Sequence, residues 1–465
     1  MRIFNMDIDF VNLRAETYAE DSRIPAIHFG TALEDARRRD FTINSMFYVL
    51  RDGRIEDLTE FGLADLRNRL IRTPLDPLVT FRDDPLRILR AIRFAARFKY
   101  DLSPEIVSAA RNPEIRRALL EKVSRERVLK ELEGMLSFSP EKACRPFLAL
   151  FLMSQLEVFD CVFTVPQAVE TQTDTQMLQS LREAQLDISE FSLEHWHRRS
   201  LAVAFACQAL VTAADLCHDH TSARFLRLRK PGTSSSVSAD TMSVFAAATA
   251  SIPADSLLAP VSRHNYRLLF LSAAVFGLCH LNIMEKRKLI SLAVVSIRDG
   301  LKADNDTAKK LAIMFDGWWV FVSMSRTPFS RVEAGLLLRR CQGEWREALA
   351  LACAFEIAAH SDWDPAGIWS KGLISDLVLD QALLDIIARY RALEDVIEIR
   401  YGLEECWLVP PLLDGNEISA ALAVKKGPII GKLMEEQTRW QLEHPQGTKD
   451  QVIAHLTLYV KERGI

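Results

Sequence analysis

The spacing of hydrophobic and polar positions changes about eighty residues into the chain. Before that point short apolar runs alternate with polar residues, as in "IDFVNLR" and "INSMFYVL", and "RDGRIEDLTEFG" is typical of a hairpin connection through Gly53. From about Asp83 onward the apolar positions recur at helical spacing and no clear strand run follows. The pattern predicts an α+β chain, in which a small mixed sheet with helices precedes a long all-α array.

One helix stands out in this pattern. The segment "DDPLRILRAIRFAARF" opens with two acids and a proline, a common N-terminal signature. At 3.6 residues per turn its arginines fall within about 120° of one another, and the positions between them are apolar. We therefore expect a largely buried helix with one polar stripe, formed by Arg87, Arg90, Arg93 and Arg97.

Asp84 and Arg87 lie three residues apart, so on a helix their side chains are neighbours. One interpretation is an ordinary ion pair on a solvated face, and the other is a reader of nucleotide bases. Cytosine and adenine both present an amino group beside a bare ring nitrogen. A carboxylate that accepts from the amino group and a guanidinium that donates to the ring nitrogen suit both bases. Uracil and guanine present the opposite pattern, so the pair would select C and A.

The composition is typical of a soluble globular protein, and the basic residues of its first part are mostly arginine. With 465 residues we expect two to four domains, and no apolar run approaches the roughly 18 residues of a membrane span. The eight scattered cysteines indicate reduced thiols. Of the 24 basic residues before position 136, 21 are arginine, including the "ARRRD" stretch. Arginine favours planar, bidentate recognition of phosphate, carboxylate or base edges.

Three motifs in this order, "RRDFTINSMFY", "DPLVTFRDDPLRILRAIRFAARF" and "RERVLKEL", resemble the class II tRNA nucleotidyltransferases, or CCA-adding enzymes. The related bacterial poly(A) polymerases share much of the pattern. The resemblance covers roughly residues 7–136, and within it the sequence is most similar to the eukaryotic enzymes. It implies a nucleotidyltransferase head over residues 1–72, a helical neck over 73–150 and an all-helical, RNA-binding body and tail over 151–465.

The resemblance also assigns roles to individual residues. It implies a hinge between head and neck in "GLADLRNRLIRTP", and it places Arg127 and Glu131 in the last motif, whose helix supports the neck. Asp83, Asp84 and Arg87 match the motif that reads the base without a nucleic-acid template. The full set of expected nucleotide-binding residues, which runs from the triphosphate and ribose to the base, is Arg38, Arg39, Asp40, Asn44, Asp83, Asp84, Arg87 and Arg90.

The metal-binding half of the expected site is harder to find. Nucleotidyl transfer in the family uses Mg²⁺ held by a D-x-D that follows a glycine-rich loop. Asp7 and Asp9 form a D-x-D in "MDIDF", but no such loop precedes them and the residues after them resemble a later strand of the family's head. We therefore expect no catalytic or metal ligand in this chain, which resembles a truncated family member that is inactive as it stands.

The expected partners are tRNA, CTP and ATP, with no membrane, and the compartment is cytoplasmic, mitochondrial or nuclear. Two alternatives stay open: a non-catalytic paralogue that binds RNA or a nucleotide, and a poly(A) polymerase. The basic residues of "ARFLRLRKPG" are spaced for contact with tRNA phosphates or belong to a solvated helix end. They are Arg224, Arg227, Arg229 and Lys230.

Overall fold

The computed structural model describes most of the chain. The described residues are 1–3, 5–17, 26–137, 145–166, 170–186, 196–218, 266–360, 381–425 and 427–463. The predicted RNA contacts at 224–230 lie outside them and stay a prediction. In the described part of the chain, no helix is both long and apolar enough to cross a membrane.

The first seventy residues form short antiparallel pairs of strands. β1 pairs with β2, β3 with β4, and β5 with β6. The predicted hairpin through Gly53 is confirmed, and this glycine takes the left-handed φ of 63° that closes the turn between β5 and β6. The strands are Arg2–Ile3, Met6–Asp7, Arg14–Thr17, Ala26–Phe29, Phe47–Val49 and Arg54–Glu56.

The two predicted strand runs are shorter than expected. "IDFVNLR" enters a strand only at Arg14, and "INSMFYVL" begins with a 3₁₀ turn, Thr42–Asn44, before its strand. The side chain of Asp65 accepts a hydrogen bond from the Thr42 hydroxyl at 2.7 Å, and the Thr42 N–H donates to the Arg72 carbonyl. These contacts hold the 3₁₀ turn, so alternation ends there.

Helices carry the rest of the first 137 residues. Several of them begin with a proline in the first turn, directly after a residue whose side chain caps the helix. Ser103 and Asn112 are such capping residues. The predicted arginine helix is confirmed as α4, and its partner elements are numbered in chain order. α1 to α7 are Ala32–Arg37, Gly62–Asn68, Pro77–Asp83, Leu86–Phe98, Pro104–Ala110, Pro113–Lys122 and Arg125–Leu136.

The remainder of the described chain is mostly helical, with two π-helical turns at 296–300 and 396–400. Its helices are Pro146–Gln155, Phe159–Val162, Thr175–Glu183, Trp196–His218, Tyr266–Ala274, Leu292–Val295, Asn305–Met324, Arg331–Cys341, Trp345–His360, Gln381–Asp395, Gly415–Leu422, Pro428–Glu443 and Lys449–Arg463.

The prediction of an all-α array after residue 83 misses two small sheets. Leu70–Ile71 (β7) pairs in parallel with Asp101–Leu102 (β8). Farther along, Thr171–Thr173 (β9), Leu281–Glu285 (β10) and Lys288–Ser291 (β11) form an antiparallel sheet. The β10–β11 turn consists of Lys286 and Arg287, both at positive φ, where glycine or asparagine is the usual signal. Without that signal the hairpin is hard to detect in the sequence.

Two hydrophobic clusters hold the described chain together. The larger one is continuous from Phe41 in the head, through α4 and α7, to the long helices that contain Trp318 and Trp345. The smaller one joins the last three helices around Leu433 and Val452. Since α4 packs on α7 and contributes seven buried side chains, packing fixes the position of its arginine stripe.

Candidate nucleotide-binding site

Helix α1 brings the arginines of "ARRRD" against one buried carboxylate. A capping box begins the helix, since the Thr31 hydroxyl accepts from the Glu34 N–H and the Glu34 carboxylate accepts from the Thr31 N–H. Asp35 follows, three and four residues before Arg38 and Arg39, so the three side chains share one face. Both guanidinium groups donate two hydrogen bonds each to the Asp35 carboxylate.

Asp35 is only 1% exposed, yet both of its carboxylate oxygens accept hydrogen bonds. Its Oδ2 accepts from Arg39 at 2.8 and 3.0 Å, and its Oδ1 also accepts from the backbone N–H of Arg14 at 3.1 Å. Burial raises the pKa of Asp35, but the hydrogen bonds from Arg38, Arg39 and Arg14 outweigh it and lower the pKa below its ordinary value. The sequence interpretation missed this residue, although the D-x-x-R-R spacing shows it.

Asp40 connects the head to the arginine stripe of α4. Its Oδ1 accepts from the backbone N–H of Phe41 at 2.9 Å and from the side-chain amide of Asn44 at 3.2 Å. Its Oδ2 accepts two hydrogen bonds from the Arg90 guanidinium, at 2.6 and 2.9 Å. Four protein donors therefore occupy this carboxylate, and Arg39 adds a bond to the Asn44 carbonyl at 3.1 Å.

Glu131 ties the same stripe to helix α7. Its Oε2 accepts from Arg93 at 2.6 Å, and its Oε1 lies 3.5 Å from Arg90. Glu131 is 8% exposed, so Arg90 bridges two largely buried carboxylates, one from the head and one from α7. Burial opposes the charge of Arg90, but Asp40 and Glu131 together raise its pKa above the ordinary value. Arg90 is thus fixed as a cation.

Asp84 and Arg87 do not form the ion pair expected of helix neighbours. Asp84 precedes α4 in an extended conformation, and its Oδ1 accepts from the Leu86 N–H at 3.2 Å. Its Oδ2 accepts from Arg127 of α7 at 2.7 Å. Arg87 instead donates to the backbone carbonyl of Arg38 at 2.8 Å. Each member of the predicted base reader is therefore oriented by a separate part of the fold.

Both groups keep hydrogen-bonding capacity after these contacts. A carboxylate accepts about four hydrogen bonds and a guanidinium donates five. Within the described residues Asp84 uses two acceptor sites and Arg87 one donor. Asp84 is 23% exposed at its side chain, and Arg87 is half-buried. Asp83, the last residue of α3, is half-buried beside them. The pair can therefore accept and donate to a further ligand.

Asp7 and Asp9, which form the D-x-D of "MDIDF", do not lie in a cluster of metal ligands within the described residues. Asp7 and Asp9 are both exposed, with Asp7 in the short strand β2. Across the described ranges no group of three or more histidine, cysteine, aspartate or glutamate side chains could hold a metal ion. A divalent ion such as Mg²⁺ needs several oxygen ligands at short range. Among the described residues, the predicted nucleotide-binding side chains therefore assemble without a carboxylate set for magnesium.

The sequence of this chain is similar to those of known nucleotidyltransferases. Residues 1–72 match the family model of the poly A polymerase head domain. Over 98% of its length the chain is 29% identical to a mitochondrial CCA tRNA nucleotidyltransferase of Saccharomyces cerevisiae, of which it covers 74%. A nucleotidyltransferase of Purpureocillium lilacinum is 30% identical over 96% of this chain and 72% of its own length.

Among solved structures, a Bacillus stearothermophilus CCA-adding enzyme in complex with CTP is similar to this chain. The match covers 97% of this chain and 79% of that one, at 16% identity and a TM-score of 0.48.

Proposed function

Because this chain belongs to the family of tRNA nucleotidyltransferases and poly(A) polymerases, we propose that it extends the 3′ end of tRNA with C, C and A. CTP and ATP are the substrates and tRNA is the acceptor. The observation that supports this most directly is the arrangement of Asp84 and Arg87. Both are fixed by other residues, and both keep free acceptor or donor capacity.

In this proposal the Asp84 carboxylate accepts from the amino group of cytosine or adenine. Arg87 donates to the adjacent ring nitrogen, so uracil and guanine meet both contacts with the wrong polarity. Because Arg127 holds Asp84 and the Arg38 carbonyl holds Arg87, the pair needs no rearrangement before it binds. Preorganisation of this kind lowers the entropic cost of recognition.

The arginines of the head would face the anionic part of the nucleotide. Asp35 orients Arg38 and Arg39 by accepting two hydrogen bonds from each, and we assign the positive charge of these two guanidinium groups to the triphosphate. Asp40 is filled by protein donors, so we assign it a positioning role toward Arg90 and Asn44, rather than direct contact with the ribose.

Transfer itself requires Mg²⁺ in addition to these residues, because the ions activate the primer hydroxyl and stabilise the pyrophosphate. The donor set of the described residues does not fit such ions. We therefore propose that the described residues bind CTP and ATP, that carboxylates outside the described residues complete the site, and that residues 1–465 alone transfer nucleotides poorly. The division into head, neck and body at residues 72 and 150 is part of the same proposal.

The test is an incubation with tRNA that lacks its CCA end, followed by sequencing of the 3′ termini. Residues 1–465 and a version extended at the N-terminus by a D-x-D-containing segment of a relative are assayed with CTP, ATP and Mg²⁺. We expect C, C and A from the extended version and little product from the other. Addition of adenosine alone would favour a poly(A) polymerase, and full activity of residues 1–465 would contradict the proposed need for further carboxylates.

A further inference from the structure

An exposed aromatic and basic corner forms where helix α4 ends against the loop after α2. The two helices end side by side because β7 follows α2 and β8 follows α4, and these strands pair in parallel. The Tyr100 hydroxyl donates to the Leu66 carbonyl at 3.5 Å, and the Asp101 N–H donates to the Arg69 carbonyl at 2.9 Å. The corner is thus a fixed part of the fold.

Aromatic rings lead from the core to this corner. Phe41, which is fully buried, meets Phe94 edge-on at 5.6 Å between ring centroids. Phe94 stacks on Phe98 at 5.7 Å with an interplanar angle of 24°, and Phe98 lies 5.6 Å from Tyr100. Phe98 is 42% exposed, so a ring that other rings support meets solvent.

Four cations lie in the two segments that meet at this corner. The Arg97 guanidinium lies 5.4 Å over the ring of Phe98. Arg67, Arg69 and Lys99 are exposed in the segments that the β7–β8 pairing joins, and no hydrogen bond or ion pair of these four side chains is found within the described residues. The segments 66–71 and 97–102 contain four cations and a single acid, Asp101. Their own net charge is therefore positive.

Two of these cations occupy backbone positions that favour glycine. Arg69 ends α2 at a φ of 56° and Lys99 ends α4 at a φ of 59°, both in the left-handed region. A side chain there costs about 1 kcal/mol relative to the right-handed region, and glycine avoids that cost. The chain thus carries a long cation at both of the helix ends that meet at this corner.

We propose that this corner binds an unpaired stretch of the RNA acceptor, with one base stacked on Phe98 and phosphates held by Arg67, Arg69 and Lys99. Stacking of a base on an exposed ring requires a single strand, because the bases of a duplex are already stacked. Along helix α4, Phe98 lies eleven residues, or roughly 16 Å, beyond Arg87. This length suits a strand that continues from the base-reading pair.

The proposal rests on the proposed function for the identity of its ligand, and its test does not require transfer. A fluorescently labelled oligoadenylate of about ten nucleotides is titrated with the full chain at several salt concentrations, and binding is followed by anisotropy. CTP affinity is measured on the same samples. Because RNA binding and CTP binding are separate readouts, failure of the proposed function and failure of the corner are distinguishable.

The informative variants are Phe98→Ala, Phe98→Tyr and the double variant Arg69→Gly/Lys99→Gly. Glycine suits both positive φ values, so the double variant removes two cations without backbone strain. The matched control is Lys286→Gly/Arg287→Gly, which replaces two exposed cations at positive φ in the β10–β11 turn.

We expect Phe98→Ala to weaken RNA binding roughly tenfold and Phe98→Tyr to retain it, since stacking needs a ring. The Arg69/Lys99 variant should lower the slope of log affinity against log salt by about 1.4, or 0.7 for each lost phosphate contact. The control variant and CTP affinity should be unchanged. The proposal is overturned if the Arg69/Lys99 variant keeps the parent's affinity and slope. It is also overturned if Phe98→Tyr loses as much affinity as Phe98→Ala and the control loses as much as the Arg69/Lys99 variant.

Discussion

The substitution Asp35→Asn tests whether one buried carboxylate positions the arginines of the head. Asp35 accepts two hydrogen bonds each from Arg38 and Arg39 and one from the Arg14 backbone. Asparagine keeps the size but replaces one oxygen with an amino group, which faces arginine donors. Removing one partner of a buried ion pair costs about 3–5 kcal/mol. Because the arginine side chains are 25% and 36% exposed, solvent screens part of that loss, and we expect about 2–4 kcal/mol.

The free energy of unfolding is measured by urea denaturation of the parent and of Asp35→Asn. Asp52→Asn is the control, because Asp52 is 33% exposed and contacts Arg51 and Arg54 at the surface, where an ion pair contributes less than about 1 kcal/mol. Since the pKa of Asp35 is lowered in the folded state, its contribution is present above the ordinary carboxyl pKa and is lost as the pH falls through the lowered value. The difference between parent and variant should therefore shrink in acid.

A loss for Asp35→Asn within about 0.5 kcal/mol of that for Asp52→Asn would refute this reasoning. It would mean that the arginines find water or other partners at little cost, and that Asp35 does not fix them.

Three further substitutions probe the fold. Glu131→Gln leaves two arginines without their shared carboxylate and should lower the free energy of unfolding in urea by about 2–4 kcal/mol. The control Glu114→Gln, at an exposed ion pair, should lower it by less than about 1 kcal/mol. Burial and a nearby glutamate raise the pKa of Glu394 to about 7. The free energy of unfolding of the parent should therefore fall by up to about 3 kcal/mol as the pH rises from about 4.5 to 7. Glu394→Gln should remove this dependence on pH. Arg287→Gly should raise the melting temperature, because glycine suits a φ of 69°.

The helical part of the fold was predictable because its signals are local. The period of apolar positions, the prolines at first turns and the caps at Ser103 and Asn112 all point to the same helices. The β10–β11 hairpin was not predictable, since Lys286 and Arg287 occupy its turn without glycine or asparagine. Residues 8–13 alternate like a strand but remain outside the described ladders, because alternation does not specify a pairing partner.

The candidate site shows the same division between local and long-range signals. The assembly of Asp40 with Arg90 joins residues fifty positions apart, which spacing alone does not reveal. Asp84 and Arg87 were predicted to be helix neighbours, but Asp84 lies before α4 and is bonded to Arg127 instead. The spacing of "EDARRR" places Asp35 three and four residues before Arg38 and Arg39, but we predicted these arginines only as nucleotide-binding residues and did not pair them with Asp35.

The central claim is that Asp84 and Arg87 choose the base, and nucleotide binding tests it without any need for transfer. Dissociation constants of CTP, ATP, UTP and GTP are measured by calorimetry for the parent and for Arg87→Met, with tripolyphosphate as a ligand that has no base. The account predicts that the parent prefers CTP and ATP at least about fivefold, since a matched bidentate contact contributes about 1–3 kcal/mol of discrimination. Arg87→Met should lower this preference, because only the Asp84 contact remains, with unchanged affinity for tripolyphosphate. Equal binding of the four nucleotides by the parent, or an unchanged preference in Arg87→Met, would contradict the account.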